Sequence, residues 1–183
     1  MTGRADRAAF LRGMNLGGRR ITNADLRAQF EAMGLGDVGV FRASGNVVFA
    51  APDETEAALG ERIERALAAG LGYAVPTYLR TAAEVRAIAA EEPFPAAEVA
   101  ASKGKLQVAL LLETPPAAAR KKVLALATDE DRLAFGRREL YWLPSGGLLE
   151  SELDLKAIDR LLGPATRRTK GTMEQLAAKY FPA

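Results

Sequence analysis

Residues 8–20 read AAFLRGMNLGGRR, an apolar run followed directly by a loop with three glycines and three arginines. The apolar run predicts a buried strand over residues 8–14. After the loop, residues 22–25 read TNAD, which resembles a helix capping box with Asp in place of Glu. This stretch therefore predicts a strand, a glycine- and arginine-rich loop that could bind an anion, and a helix, in that order.

The rest of the first half continues in the same alternating manner. Short apolar segments predict strands at 38–41, 47–50 and 73–79, and a helix that starts at Asp53 and Glu56 separates the last two. Pro76 cannot donate to a sheet ladder, so it predicts an edge strand or a bulge. The resulting order, β-α-β-β-α-β, is that of the split-βαβ, ferredoxin-like arrangement.

The second half repeats this order with different residues. Strands are predicted at 106–112, 132–135, 139–143 and 165–168, with helices at 116–127, at 153–162 and from Thr172 onward. We therefore predict an α+β fold of two tandem ferredoxin-like (βαββαβ) halves with a C-terminal helix. The halves are residues 1–80 and 105–183, and residues 81–104 form a connecting helix and linker. The alternative is a chance repetition of short elements.

Composition excludes several kinds of chemistry. The chain has 183 residues, 49% of them hydrophobic, a net charge of +2, and neither cysteine nor histidine. This rules out Ser-His-Asp triads, thiol nucleophiles and most zinc sites, and we predict no metal and no cofactor. No apolar run approaches the ~20 residues of a membrane span, so we expect no membrane partner. The apolar run after the charged residues 1–7 is too short for a secretory signal segment, so we expect a cytoplasmic protein.

The loop at 12–20 is the first candidate site. Gly17 and Gly18 would let backbone N–H groups converge before a helix N-terminus, and Arg12 and Asn15 would add a cation and a neutral donor. The alternative is an ordinary strand-to-helix turn that needs positive φ, with its arginines in solvent.

Two other segments offer similar chemistry. In the turn at 44–46, Ser44 and Asn46 could donate to one ligand, or they could satisfy their own backbone. Before the last helix, Arg168 and Thr172 lie in a segment of three cations and three hydroxyls, where the helix dipole would favour an anion. A solvated turn capped by Thr172 is the alternative there.

Four segments together resemble a known family, domain-of-unknown-function family 1697. They are LRGMNLGG at 11–18, SGNVVF at 44–49, the pair Pro144-x-Gly146 and Ser151-x-Leu153, and Thr166-x-Arg168-x-x-x-Thr172. The family usually reads T-x-R-N-W-N-T in the last segment, whereas this chain has Thr169, Lys170 and Gly171 in place of N-W-N. The resemblance implies a small α/β protein of bacterial type and implies no activity. It marks the same eight positions as family signatures: Arg12, Asn15, Gly17, Gly18, Ser44, Asn46, Arg168 and Thr172.

Three hypotheses for function follow. The first is a binding module in which the 12–20 loop and the Arg168 loop form one cationic pocket for a small phosphate- or carboxylate-bearing ligand, with nucleic acid as a variant. The second is an enzyme in which Arg12 and Arg168 stabilise an oxyanion and a carboxylate moves the protons. The third is an interaction protein whose open sheet edges pair within or between chains. The sequence predicts no oligomeric state.

Overall fold

The computed structural model describes residues 4–43 and 45–183. It divides into two compact units, the first comprising the chain up to Arg86 together with Leu176–Ala183, and the second comprising Ala87–Gln175. Each unit contains one four-stranded antiparallel sheet. The mixed α+β class and the presence of two similar halves are therefore confirmed. No helix in the described part of the chain is long and apolar enough to cross a bilayer.

The first unit has the predicted order of elements. These are β1 (Arg7–Leu11), α1 (Asn23–Ala32), β2 (Gly36–Phe41), β3 (Asn46–Ala50), α2 (Glu56–Leu71), β4 (Thr77–Thr81) and α3 (Ala82–Ala90), the last of which ends beyond Arg86. The sheet order is β2-β3-β1-β4, so β4 is an edge strand, as Pro76 just before it predicts.

One face of this sheet packs against α1 and α2. Alternate residues of the strands point to this face because side chains in a strand alternate between the two sides. The Phe30 and Phe49 rings, 5.6 Å apart, join α1 to the central strands. The buried cluster contains residues of β1, β3, β4 and both helices: Ala9, Leu11, Leu26, Phe30, Val47, Phe49, Leu59, Ile63, Leu67 and Leu79.

Helix boundaries in the first unit follow local hydrogen bonds. Thr22 caps α1 as predicted, because its hydroxyl accepts from the backbone N–H of Asp25. For α2 the cap is Thr55, which accepts from Ala58, and not Asp53. At α3, Thr81 and Glu84 form the predicted capping box, each accepting from the other's backbone N–H.

The second unit has the same order of strands and helices after a short first helix. Its elements are α4 (Ala96–Ala101), β5 (Gln107–Leu111), α5 (Ala117–Leu124), β6 (Asp131–Phe135), β7 (Glu139–Pro144), α6 (Leu155–Leu162), β8 (Ala165–Thr169) and α7 (Lys170–Tyr180), the last of which ends beyond Gln175, in the first unit. The sheet order is β6-β7-β5-β8. Every residue of β5 is buried, as its continuous apolar sequence predicts for a central strand.

Two local features, one in the connecting segment and one in the second half, differ from the sequence-based description. Residues 96–101 form the helix α4 within the segment predicted as linker, because an Ala-rich stretch after Pro95 favours a helix despite its lack of period. At the last helix, the capping hydroxyl is that of Thr169, which accepts from the N–H of Thr172, so Thr172 lies inside the first turn of α7. The helix therefore begins two residues before the predicted capping residue.

Candidate functional site

The loop after β1 is shaped by its glycines. The strand ends at Leu11, three residues before the predicted end, and Gly13, Gly17 and Gly18 have φ angles of +76°, +61° and +81°. These values lie in the left-handed region, where a side chain is disfavoured. A Cβ on Gly17 or Gly18 would have no other atom within 4 Å. Both residues are exposed, so this part of the loop lies at an open surface.

The turn between β2 and β3 lies directly beside this loop. The backbone N–H of Leu11 donates to the carbonyl of Gly45 (2.8 Å), and the amide Nδ2 of Asn15 donates to the carbonyl of Ala43. The loop and the turn are neighbours because of the register between β1 and β3, in which Phe10 near the end of β1 pairs with Asn46 at the start of β3. The structure thus brings two of the three predicted segments together. Ser44, a predicted site residue, lies outside the described residues.

Asn46 has a different position from the other predicted ligand residues. Its side chain is fully buried, and its Nδ2 donates to the carbonyl of Phe41 across the turn (3.0 Å). A buried amide that binds the backbone of its own hairpin supports the local structural interpretation of this turn.

An open cleft of about 560 Å³ lies beside the loop. The charged side chains that line it are mainly cationic, because Arg19 and Arg20 lie on its wall. Arg12 is exposed on the same loop. The Arg19 guanidinium lies 4.1 Å from the centre of the Tyr73 ring, a cation–π contact. The lining residues are Asn15, Gly18, Arg19, Arg20, Ile21, Thr22, Asp25 and Ala43.

Asp25 is the one carboxylate among the described residues that line this cleft. Its Oδ2 accepts from the hydroxyl of Thr22 (2.7 Å), while its backbone N–H donates to that hydroxyl (3.0 Å). The carboxylate is therefore part of the N-terminal cap of α1. The enzyme hypothesis requires a carboxylate that moves protons, and at this cleft the available one already has a structural partner.

Arg168 and Thr172 lie in the second unit. The Nη1 of Arg168, at the end of β8, donates to the hydroxyl of Thr166 (2.8 Å) and to the carbonyl of Arg167 (2.7 Å). Burial lowers the pKa of Arg168 to about 10, so the side chain stays cationic at neutral pH. Thr172 is buried, with its hydroxyl 2.9 Å from that of Thr169. The prediction that these residues share one pocket with Arg12 stays a prediction.

A second cleft, of about 500 Å³, is acidic and was missed by sequence reasoning. It lies in the second unit, where residues 128–131, which end at the first residue of β6, meet residues 144–152, which begin at the last residue of β7. Asp131 pairs with Pro144 in the β6–β7 hairpin, so the acidic segments on either side of the hairpin become neighbours. The signal that could have revealed this cleft was the predicted hairpin of strands 132–135 and 139–143. Antiparallel pairing places the residues before the first strand of a hairpin beside the residues after the second.

At the edge of this cleft Asp131 is a buried hydrogen-bonding centre. Its Oδ1 accepts from the indole Nε1 of Trp142 (2.6 Å) and from the hydroxyl of Ser151 (2.8 Å). These bonds satisfy a buried carboxylate and hold the 145–151 loop against the sheet. In the described part of the chain, no group of three or more acidic side chains is arranged to hold a metal ion.

Comparison with known proteins gives a fold and a family. The chain is similar to a solved structure, that of the conserved bacterial protein SP0830 from Streptococcus pneumoniae, with a TM-score of 0.76 and 20% sequence identity over 98% of this chain and 100% of that chain. At this identity the likeness concerns the fold. None of the curated proteins matches the chain.

The family model described as "Protein of unknown function (DUF1697)" matches residues 5–141. This range includes the motifs at 11–18 and 44–49, and it ends before the motifs at 144–153 and 166–172. It also covers well over half of the chain. The chain therefore belongs to the DUF1697 family, as the motifs in its sequence predicted.

Proposed function

We propose that the first unit is a binding module for a small phosphate- or carboxylate-bearing ligand, which occupies the cleft between residues 15–25 and Ala43. The observation that carries this proposal is that two arginines of the loop are exposed and form no ion pair with another described residue. The side chains of Arg12 and Arg20 are exposed and form no hydrogen bond or ion pair with other residues that the structure describes. Their charge is therefore available to an anion.

The neighbouring groups would orient such a ligand. Arg19 is held over Tyr73, which restricts its guanidinium before any ligand arrives. Asn15 uses one amide hydrogen for Ala43 and has a second one to donate. Gly17 and Gly18 leave the backbone open to close approach by an anion. Hydrogen bonds of charged groups are each worth about 1.5–3 kcal/mol, enough for a weak to moderate site.

Calorimetric titration tests the proposal with inorganic phosphate, adenosine triphosphate, a hexose phosphate and citrate as probes. We expect at least one probe to bind, and Arg20→Ala or Arg12→Ala to weaken it about tenfold, the loss of one charged hydrogen bond. Arg65→Ala is the matched control, because Arg65 is an exposed arginine of the same unit on α2, outside the cleft. Binding by none of the probes, or equal binding by the three variants, would contradict the proposal.

The contribution of the second unit is tested by one more variant. Arg168→Ala should weaken the same probe if Arg168 belongs to the site, as the sequence hypothesis holds. If Arg168→Ala binds like the parent while Arg20→Ala does not, the ligand depends on the first unit alone. The proposal for the cleft stands in either case.

We infer in addition that each unit has the ferredoxin-like arrangement. The element order β-α-β-β-α-β and the sheet orders β2-β3-β1-β4 and β6-β7-β5-β8 support this inference. In this arrangement the β1–α1 loop and the β2–β3 turn leave the sheet at the same end, which is where the proposed site lies. An experimental structure with the bound probe would test both the arrangement and the place of the ligand.

A further inference from the structure

The acidic cleft of the second unit carries charge that the fold does not neutralise. Asp129, Glu130, Glu150 and Glu152 are exposed on its two walls. Glu130 accepts from the hydroxyl of Ser145, and Glu150 accepts from the backbone N–H of Gly147 (3.4 Å). None of the four forms an ion pair with a residue in the described ranges. The cleft is therefore locally anionic on a chain whose net charge is +2.

Two leucines project from the same loop. Leu149 is fully exposed, at 103% of its reference area, and its neighbour Leu148 is about half exposed. An exposed pair of large apolar side chains next to unpaired carboxylates combines the two properties of a protein-docking surface, an apolar contact and a polar rim.

The chain itself has the complementary surface. The 12–20 loop of the first unit has three exposed arginines, Arg12, Arg19 and Arg20, and an exposed apolar residue, Leu16, at 67%. Opposite charge and a leucine on each side give the complementarity that specific association requires.

We propose that the acidic cleft and Leu149 of one copy dock the 12–20 loop of a second copy. This inference rests on the same cationic loop as the proposed function and adds a partner for it. Such an interface joins two different surfaces, so copies associate either reciprocally in a two-fold pair or head-to-tail in rings or open chains, and the average mass rises with concentration in both cases. The contact is small and exposed, so it is weak and strongly screened by salt.

Sedimentation velocity on the full chain tests the inference at about 20 mM and about 500 mM salt, where the screening lengths differ several-fold. We expect the average mass to rise with protein concentration at low salt and to return to that of the monomer at high salt. Glu150→Lys with Glu152→Lys should abolish association, and so should Arg19→Glu with Arg20→Glu. Mixing the two double variants should restore a complex, because each then supplies the charge that the other needs.

Leucine variants test the apolar part of the contact. Leu149→Ser should weaken association at low salt about tenfold, whereas Leu112→Ser should leave it unchanged. Leu112 is also an exposed leucine of the second unit but does not line the acidic cleft. Equal association of these two variants would contradict a role for Leu149.

The failure of this inference is distinguishable from failure of the proposed function. A parent protein that stays monomeric at low salt up to about 1 mM, far above the range of specific association, overturns the docking inference. The same holds if the Glu150→Lys, Glu152→Lys variant associates like the parent. Titration of that variant with phosphate measures binding at the cationic cleft separately from association. Both substitutions lie in the second unit, whereas the cationic cleft lies in the first.

Discussion

Gly45 lies where the β2–β3 turn passes closest to the first strand. Its carbonyl accepts from the N–H of Leu11, and its φ is +71°. A Cβ at this position would lie 3.0 Å from the Cβ of Leu11 and 3.0 Å from the Cγ of Met14. Glycine is therefore needed both for the backbone conformation and for the close packing that holds the turn beside the proposed site.

Gly45→Ala should accordingly cost more stability than a substitution with the same backbone penalty alone. Gly72→Ala is the matched control, because Gly72 has φ +80° at the end of α2 and no atom within 4 Å of an added Cβ. We expect about 1 kcal/mol for Gly72→Ala and about 2–3 kcal/mol for Gly45→Ala, measured by urea unfolding. Equal costs would mean that the turn does not pack tightly on β1.

Asn46 illustrates how one residue type serves two purposes. An asparagine amide can bind an anion, but that of Asn46 is buried below the turn and donates to the backbone carbonyl of Phe41. Asn15 is exposed on the neighbouring loop and lines the cleft. Which of the two asparagines is accessible from solvent is therefore decided by its depth in the fold and not by its motif.

At the scale of elements, the start of α7 depends on the last residue of a strand. Thr169 ends β8, and its hydroxyl accepts from Thr172 while it pairs across the sheet with Gln107. One residue thus ends a strand and caps the helix that follows without a loop. This arrangement fixes the first turn of α7 relative to the sheet of the second unit.

Thr169→Ala should destabilise the protein by about 1 kcal/mol, because it removes the acceptor for an N–H of the first helical turn. Thr169→Ser keeps the hydroxyl and should retain most of that stability. Thermal and urea unfolding of the two variants give the comparison. If Thr169→Ser loses as much as Thr169→Ala, the methyl group and strand packing matter more than the cap.

At the scale of the whole molecule, a small net charge hides strong local charge. The chain has 25 basic and 23 acidic residues, yet arginines and carboxylates that form no ion pair with another described residue are gathered at separate clefts. Binding at the cationic cleft should therefore depend on salt much more than the net charge of +2 suggests, because local charges act within a screening length.

The salt dependence distinguishes a small ligand from nucleic acid. Three exposed arginines can neutralise about three phosphates, so the affinity for a single-stranded oligonucleotide should fall with a log–log slope of about −2. Fluorescence anisotropy with a labelled oligonucleotide at several salt concentrations measures it. A slope steeper than about −4 would indicate a longer cationic surface and favour nucleic acid as the ligand.

The sequence by itself determined the order of the strands and of the helices other than α4, and it identified two of the four predicted helix caps. A nearly continuous apolar run placed β5 at the centre of its sheet, Pro76 indicated an edge position or a bulge at β4, and Thr22 and Thr81 marked helix starts. The absence of histidine and cysteine excluded whole classes of catalytic site. These features depend on residues a few positions apart, which is the range over which sequence patterns act directly.

Only the tertiary structure decided which polar residues are buried, paired or free. It buried Asn46, placed Asp25 in a cap, and brought residues 128–131 beside 144–152 to form the acidic cleft. It also set the open cleft beside Arg19 and Arg20, on which the proposed function rests. These outcomes depend on strand register and on packing between segments far apart in the chain, and no local pattern encodes the distance between two such segments.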